Sequence, residues 1–286
     1  MSRINYQLTG GLSEEQLDEM HRKAIELVEH VGVSVPYEPI RKRLAAHEGV
    51  KIEGNVVRFE GALIERMLQK LPGSYDWDEW KDWRVIAGAY ALHVYDAKRR
   101  EFPTGTHEDM VRAIKLGASY GFEGSAPVKP MDVPGHLQEL AMIRACYEHS
   151  PKFGGGDLDA NPQSTPGVTD FAREMAAAAG RDYNFGLWVI SPLKFGEGDL
   201  RTLEHLCDQE IPSMWIATMP IAGATAPIHL VNSYIQALAE LFAGYTLLQL
   251  VTRAKRITFS IIDSVRAYPF DMKYGAFVYG LSLIHI

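Results

Sequence analysis

Apolar residues in the first hundred positions recur with helical spacing. Between residues 17 and 31 they return every three or four positions, and Ser13 and Gln16 form a capping-box pattern just before this run. An amphipathic helix is therefore predicted from residue 14. The other elements predicted in this region are short: helices at 39–47 and 62–71, and strands at 50–52, 56–59, 84–86 and 92–95. Residues 1–101 are interpreted as a mainly helical N-terminal region with small β-hairpins.

From residue 102 onward, apolar strands alternate with amphipathic helices. Thr106, followed three residues later by Asp109, is the predicted N-cap of the first of these helices. Strands are predicted at 124–128, 153–155, 184–190, 213–218 and 257–262, and helices at 107–120, 135–149, 169–179, 199–209 and 230–251. Such an alternation is typical of an α/β fold with a parallel sheet. About five strand–helix units fit here, whereas a closed eight-unit barrel takes roughly 250 residues. The sheet is therefore either open or an incomplete barrel.

Composition and charge narrow the classes of function. The 286 residues include 29 Lys and Arg against 36 Asp and Glu, which gives a net charge of −7, and 47% are hydrophobic. These values are those of an ordinary globular protein and exclude a disordered or collagen-like chain. The negative charge argues against a nonspecific nucleic-acid binder, which needs clustered basic residues. It is compatible with a cationic ligand.

The cysteines and the apolar segments indicate the compartment. Cys146 and Cys207 lie far apart in the sequence and form no C-x-x-C motif, so neither a disulfide framework nor a thiolate zinc site is predicted. The N-terminus lacks the apolar core of a signal peptide, and no run of about 18 uninterrupted apolar residues occurs. The sequence therefore predicts a cytoplasmic protein without a membrane partner.

The segment after the predicted strand at 213–218 has the most distinctive composition. Between Pro220 and Pro227 it carries only Ile221 and a run of small side chains, which are Ala222, Gly223, Ala224, Thr225 and Ala226. Ligands of parallel α/β folds bind where the strands end. A loop of this kind offers room, a flat surface and exposed backbone amides, which would suit a large planar cofactor or a docking partner. The alternative is that the small residues only allow close packing.

Aromatic and acidic residues near the predicted strand ends indicate a cationic ligand. Trp188 and Trp215 lie within strands, Asp157 and Asp263 follow strands, and residues 268–279 are rich in aromatic side chains. The negative faces of aromatic rings attract a quaternary ammonium group, by roughly 0.5–2 kcal/mol for each ring. Packing of these aromatic residues in the core is the simpler alternative.

Motifs for metal and nucleophilic chemistry are missing from the sequence. It contains no H-E-x-x-H and no G-x-S-x-G. His205 and Cys207, two positions apart, fall on different faces of a predicted helix. No metal site is predicted.

Several segments of the chain resemble the trimethylamine methyltransferase family. Residues 12–17, Leu-Ser-Glu-Glu-Gln-Leu, and 31–35, Val-Gly-Val-Ser-Val, resemble its N-terminal helix and turn. Residues 219–227, Met-Pro-Ile-Ala-Gly-Ala-Thr-Ala-Pro, closely resemble its most distinctive loop, and residues 271–280 resemble its later D-x-x-x-G-x-x-x-x-G segment. The resemblance implies an incomplete TIM-type (β/α)8 barrel over residues 102–280.

The resemblance also implies an activity, and with it we assign hypothetical roles to the residues above. A methyl group would move from a methylated amine to the cobalt of a separate corrinoid protein, as in the methylamine metabolism that feeds methanogenesis. The corrinoid would be carried by that partner and not bound directly. The aromatic cage would be Trp188, Trp215 and Tyr279, with Asp157 and Asp263 as its charge partners. The corrinoid-facing residues would be Gly223, Ala224 and Thr225. No catalytic residue is assigned, and a homo-oligomer is left open.

Two departures from the family bear on the substrate and on the length of the chain. The founding trimethylamine enzymes carry pyrrolysine, which this chain lacks, whereas related members without it act on quaternary amines such as glycine betaine. Both branches, and with them trimethylamine as well as a quaternary amine, stay open as the substrate. A quaternary nitrogen already makes a neutral leaving group and needs mainly positioning and desolvation. Residues 281–286, Leu-Ser-Leu-Ile-His-Ile, stand where the family has a Ser-Pro-Glu-like turn, which predicts a truncated barrel with a foreign tail.

Two other interpretations compete with a methyltransferase. A TIM-type lyase or aldolase for a small anionic metabolite would need a basic side chain near the strand ends. The nearest candidates are Lys152, Lys194 and Lys255. The other alternative is a catalytically incompetent fragment, whose unpaired strand edges would promote association.

Overall fold

The structure is a computed structural model that describes residues 12–71, 85–87, 91–154 and 166–260. Its helices are α1 (Glu14–His30), α2 (Glu38–Leu44), α3 (Gly61–Leu68), α4 (His107–Ser119), α5 (Gln138–His149), α6 (Pro166–Ala178), α7 (Glu197–Leu206) and α8 (Leu230–Val251). Its strands are β1 (Val33–Ser34), β2 (Val50–Glu53), β3 (Val56–Phe59), β4 (Ile86–Ala87), β5 (Glu123–Gly124), β6 (Asn184–Ile190), β7 (Lys194–Phe195), β8 (Glu210–Ile211), β9 (Ser213–Thr218), β10 (Arg253–Ala254) and β11 (Ile257–Ser260). The fold is α/β, as predicted.

One seven-stranded sheet organises the described residues. Its strand order is β11-β9-β6-β7-β1-β3-β2. Strands β6, β9 and β11 run parallel to one another, whereas the hairpin of β2 and β3 and its pairing with β1 are antiparallel. The parallel pairing of Ser34 with Lys194 joins the two parts. The N-terminal hairpin therefore extends the sheet that contains the parallel strands, while the predicted domain boundary at residue 101 stays a prediction.

Local signals placed two helix starts correctly. In α1 the amide of Gln16 donates to the Ser13 hydroxyl at 3.3 Å, and the amide of Ser13 donates to the Gln16 side chain at 2.9 Å. In α4 the Asp109 amide donates to the Thr106 hydroxyl and the Thr106 amide to the Asp109 carboxylate, both at 3.1 Å. These reciprocal bonds satisfy amides that the first helical turn leaves unpaired.

The predicted strand at 92–95 is absent as a regular element. His93 and Thr104 form only an isolated antiparallel bridge, and Ala91 forms another bridge with Val128. Pro103 has no N–H to donate, which interrupts the ladder next to Thr104. Helix α6 also differs from its prediction because it already includes Pro166, three residues before the predicted start.

Helix α8 forms the centre of the core, and its bounds are those predicted. It packs against β6, β9 and β11 on one side and against α1 and α3 on the other. Gly244 permits the close approach to the sheet, because a Cβ at this position would overlap the Ile216 side chain and contact Val189 at 3.5 Å. Residues Val231–Val251 are long and apolar enough to cross a membrane, but 72% of the most apolar window is buried inside the fold.

Candidate functional site

Strands β6 and β9 present two faces of different character. Phe185, Leu187 and Val189 alternate with Gly186 and Trp188, and only the first set is fully buried. Register pairs Gly186 with Trp215, Trp188 with Ala217 and Trp215 with Thr258. Paired residues of neighbouring strands point to the same side of a sheet. We call the side that carries Gly186, Trp188, Trp215 and Thr258 the tryptophan face, and the side that contacts α8 the helix face.

Two indole rings dominate the tryptophan face. The rings of Trp188 and Trp215 lie edge to face, with centroids 5.4 Å apart and an interplanar angle of 87°. Gly186 makes room for this arrangement, because a Cβ there would overlap the Trp215 ring. Both tryptophans are half-buried, and no residue in the part of the chain that the structure describes accepts a hydrogen bond from the Trp188 indole N–H. The structure thus brings together the two described members of the predicted aromatic cage.

The small-residue loop, residues 219–227, leaves the sheet at the end of β9. Thr218 is the last residue of β9 and pairs with Val189 at the carboxyl end of β6, so the loop lies at the carboxyl edge of both strands. Gly223 and Ala224 are exposed and Thr225 is half-buried, whereas Ala222 packs inward with 6% exposure. The loop therefore presents an outer surface of small side chains at the edge where the tryptophan face ends.

The expectation of exposed backbone amides in this loop is wrong. The amides of Ala224, Thr225 and Ala226 all point to the carbonyl of Ile221, at 3.0, 2.9 and 3.0 Å. The amide of Gly223 donates to the Ala226 carbonyl at 2.8 Å. Gly223 has a φ of +81°, which glycine adopts without strain, and this allows the tight turn. The outer surface is consequently built of Cα and methyl groups and offers no free donor from these four residues.

A buried carboxylate beneath the loop escaped the sequence analysis. Glu240 of α8 is fully buried and accepts hydrogen bonds from the Ser191 and Thr218 hydroxyls at the ends of β6 and β9. In the sequence it stands out only as a charge that interrupts an apolar run. Gln236, one helical turn earlier, was the other available signal, since a polar pair at i, i+4 in an apolar helix faces one side.

Comparison with known proteins identifies the family to which the chain belongs. A model of the family described as trimethylamine methyltransferase (MTTB) matches residues 3–284. The chain belongs to the trimethylamine methyltransferase family. The predicted resemblance is thereby confirmed, and members of this family are methyltransferases.

Two curated relatives give the similarity in detail. The glycine betaine methyltransferase of Desulfitobacterium hafniense (strain Y51) is 22% identical over 290 residues, which cover 94% of this chain and 58% of that protein. The proline betaine:corrinoid methyltransferase of Eubacterium limosum is 22% identical over 283 residues, which cover 88% of this chain and 56% of that protein. The chain thus spans somewhat more than half the length of these relatives.

Three residues of the predicted site in this trimethylamine methyltransferase family member have no described position. Asp157, Asp263 and Tyr279 lie outside the described residues. Their roles as charge partners and cage aromatic stay predictions. The described part of the site consists of the tryptophan face and the small-residue loop.

The cysteines and His205 are structural in the fold of this family member. Burial raises the pKa of the Cys146 thiol and of the Cys207 thiol to about 12. Both therefore stay protonated at neutral pH and are poor nucleophiles. The Nε2 of His205 lies 3.0 Å from a carboxylate oxygen of Asp170, which links α7 to α6. None of the three side chains belongs to the tryptophan face.

The three lysines considered for a lyase have different surroundings, and all are exposed. Lys152 donates to the Gly121 carbonyl at 3.3 Å, and Lys255, just before β11, lies 3.5 Å from Glu210. Lys194 alone is near the tryptophan face, because it pairs with Ile190, two residues beyond Trp188. Lys194 is thus a positive charge at the rim of the site.

Proposed function

We propose that the protein containing this chain transfers a methyl group from a betaine-type quaternary amine to the cobalt of a separate corrinoid protein. Three findings support this proposal: the family assignment, the names of the two relatives and the geometry at the carboxyl edge of β6 and β9. In the proposed arrangement the tryptophan face holds the amine and the small-residue loop receives the partner. The observation that carries it is that the small-residue loop begins four residues after Trp215, at the carboxyl ends of the two strands that carry the tryptophan face.

The tryptophan face suits a quaternary ammonium group for an electrostatic reason. Such a nitrogen has no N–H and cannot be recognised by hydrogen bonds, so ring faces and negative charge are the groups that can bind it. Trp188 and Trp215 each supply a ring, and the edge-to-face contact fixes one indole relative to the other. The predicted charge partners, Asp157 and Asp263, would add the negative charge.

A betaine also carries a carboxylate, and Lys194 offers a partner for it. Lys194 shares the face of Trp188 through its pairing with Ile190, and its side chain is exposed. A cation at the rim and aromatic rings below it match a ligand with an anionic end and a cationic methyl-bearing end. This pattern favours a betaine over trimethylamine, which has no anionic end.

The proposed methyl transfer requires the side chains of this chain mainly to bind and orient the substrate. When docked, the corrinoid supplies the cobalt nucleophile that takes the methyl carbon, while the carbon–nitrogen bond breaks and its electron pair stays on the nitrogen. The leaving tertiary amine is neutral, so no proton has to be supplied. The residues of this chain would hold the methyl group in line and exclude water. Gly223 and Ala224 fit a bulky planar ring because their exposed side is small and unbranched.

The surface beside the loop supports a protein partner. Ile228, Val231 and Tyr234, at the start of α8, are 75%, 47% and 44% exposed. Exposed apolar patches mark protein–protein contact sites on globular proteins, and these three side chains lie within one seven-residue segment. They continue the outer surface of the small-residue loop along the chain, which is where the corrinoid protein would dock in this proposal.

The test uses the full-length protein with cob(I)alamin and a panel of methyl donors. Glycine betaine, proline betaine, tetramethylammonium and trimethylamine are supplied in turn, and methylation is followed by the change in the corrin spectrum. We expect the betaines to react fastest. Unchanged spectra with all four donors would contradict the proposal. A separate thermal melt of the 286-residue chain with each donor distinguishes an incompetent fragment, which none of them would stabilise, from a folded enzyme that binds its substrate.

A further inference from the structure

Glu240 is a carboxylate at the centre of an apolar helix, and both of its oxygens are saturated with hydrogen bonds. One oxygen accepts from the Leu193 amide at 3.0 Å and from the Gln236 amide group at 2.9 Å. The other accepts from the Ser191 hydroxyl at 2.8 Å and from the Thr218 hydroxyl. A fully buried carboxylate is unfavourable unless its oxygens are satisfied in this way. The four donors therefore have to stay in place around it.

The donors come from both strand ends that border the proposed site. Ser191 and Leu193 belong to the turn that follows β6, and Thr218 ends β9. One side chain of α8 thus fixes the carboxyl ends of two neighbouring parallel strands relative to the helix. The Ser191 and Thr218 hydroxyl oxygens lie 3.2 Å apart, so both converge on the same carboxylate oxygen.

Gln236 extends this network to the small-residue loop. Its amide nitrogen donates to Glu240 and also to the carbonyl of Thr225, at 2.8 Å. The internal hydrogen bonds of residues 221–226 make the loop a compact unit, and Thr225 also accepts from the Ile221 amide through its hydroxyl at 2.9 Å. Ser233 makes a second link, from its hydroxyl to the carbonyl of Pro227. The loop is therefore attached to α8 in its middle by Gln236 and at its end by Ser233.

We propose that Glu240 and Gln236 are positioning residues that set the distance between the small-residue loop and the tryptophan face. The inference rests on the proposed function in one respect, namely that the loop receives the corrinoid partner. Neither side chain touches the substrate in this arrangement. They act because in-line transfer tolerates little displacement: an error of about 1 Å can cost a factor of one hundred in rate.

The first experiment measures the loop without relying on activity. Backbone hydrogen exchange of residues 219–229 is compared in the full-length wild type, in Gln236→Leu and in Gln249→Leu. Gln249 is a matched control because it lies on the same helix and, like Gln236, bonds a residue four positions away, in its case the Tyr245 hydroxyl at 3.1 Å, but far from the loop in sequence. We expect about fivefold to tenfold faster exchange in Gln236→Leu, as the loss of one buried hydrogen bond implies. Wild-type exchange in Gln236→Leu would overturn the inference.

A conservative variant separates positioning from simple stability. In Glu240→Gln the side-chain oxygen can still accept from Leu193 and Gln236, while the new amide donates to the Ser191 and Thr218 hydroxyls, which can act as acceptors. We expect loop exchange within about twofold of wild type, in contrast to Glu240→Leu. If Gln236→Leu does not fold, Gln236→Ala gives the same comparison without the branched side chain. Equal loop protection in Glu240→Leu and in the wild type would contradict the proposal.

Kinetics then connect the loop to transfer. With the amine as the varied substrate and the corrinoid saturating, we expect Gln236→Leu to lower kcat at least tenfold while the KM for the amine changes by less than about threefold. Unchanged kcat together with a loosened loop would overturn the positioning role. If the wild type itself transfers no methyl group but the exchange results hold, the proposed function fails and the attachment of the loop by Gln236 stands.

Discussion

The two faces of the strands β6, β9 and β11 arise from one alternating sequence but are covered to different extents. On the helix face, Leu187 and Ile216 are fully buried, and Phe259 packs its ring against Tyr245 of α8, with centroids 5.3 Å apart. On the tryptophan face the largest side chains are only half-buried, and Ile190 at its end is 49% exposed. The helix face has the composition of a core. The tryptophan face instead combines large aromatic rings with Gly186, which makes room for the Trp215 ring. This contrast separates the residues that form the buried core from the residues to which we assign ligand binding in the proposed function.

Leu187→Ala should give the largest effect, because it empties part of the helix face. A buried leucine truncated to alanine loses about 2–5 kcal/mol of unfolding free energy. The measurement is urea denaturation of the full-length protein, with Ile190→Ala on the same strand as the control. Ile190 is exposed, and its variant should stay within about 0.5 kcal/mol of wild type. Equal losses in the two variants would mean that both faces are covered alike.

Gly186→Ala should lower the unfolding free energy less than Leu187→Ala does, but it should alter the packing of the tryptophan face. The added methyl group overlaps the Trp215 ring, so the ring has to move, at about 1–3 kcal/mol. Near-ultraviolet circular dichroism should show the altered packing of Trp188 and Trp215. An unchanged spectrum would show that the edge-to-face pair does not depend on this glycine.

Trp188→Leu keeps apolar volume and removes the ring. We expect glycine betaine to bind roughly two- to thirtyfold more weakly, the equivalent of about 0.5–2 kcal/mol for one cation–π contact. Isothermal titration measures this change, and Phe171→Leu, which replaces an exposed aromatic residue on α6, is the control. The same affinity in Trp188→Leu and in the wild type would remove the tryptophan face from the binding site.

Lys194→Gln tests the anionic end of the ligand and should have a smaller effect. An exposed ion pair contributes about 0.2–1 kcal/mol, so glycine betaine affinity should fall by no more than about fivefold. Tetramethylammonium, which lacks a carboxylate, should bind the variant as well as the wild type or slightly better, because a nearby positive charge is gone. A parallel loss for both ligands would contradict a contact with the carboxylate.

The two cysteines test whether the core is closed to solvent, and we expect almost no reaction of their thiols in the folded protein. Cys207 packs in the same core as Leu187, and burial raises the pKa of its thiol and of the Cys146 thiol to about 12. At pH 8 the folded protein should therefore resist iodoacetamide, and urea should make both thiols reactive. Because the folded pKa values lie above those of the unfolded chain, stability should also decline as the pH rises from about 9 towards 12. Rapid labelling of the native protein at pH 8 would show that this core is open.

Sequence patterns predicted the local parts of this molecule and not the long-range ones. The bounds of β6, β9 and α8 followed from apolar runs, and two helix starts followed from capping residues three positions apart. The role of Glu240 did not, because three of its four partners, Ser191, Leu193 and Thr218, lie 22 to 49 positions away in the sequence. Likewise, β7 has two residues, too few for any periodic signal, yet it joins the N-terminal hairpin to the parallel strands.

The sequence predicted the residues of the candidate site better than it predicted their arrangement in space. The sequence identified Trp188, Trp215 and the small residues of the loop, and in the structure the two rings meet on one face of the sheet while the loop follows the carboxyl end of β9. It could not show that the loop amides turn inward, since that depends on the backbone conformation at Gly223. The roles of Asp157, Asp263 and Tyr279, and the foreign tail at 281–286, stay predictions.

The pairing of Ser34 with Lys194 also constrains how the polypeptide is made. During synthesis, β1 and the hairpin of β2 and β3 emerge from the ribosome long before β7, the strand with which β1 pairs. The edge of β1 therefore stays unpaired while well over a hundred further residues are added. Contacts between such distant positions form slowly, and an unpaired strand edge favours aggregation in the meantime. Nascent chains that stop short of residue 194 should therefore bind chaperones, and chains that extend past it should be released.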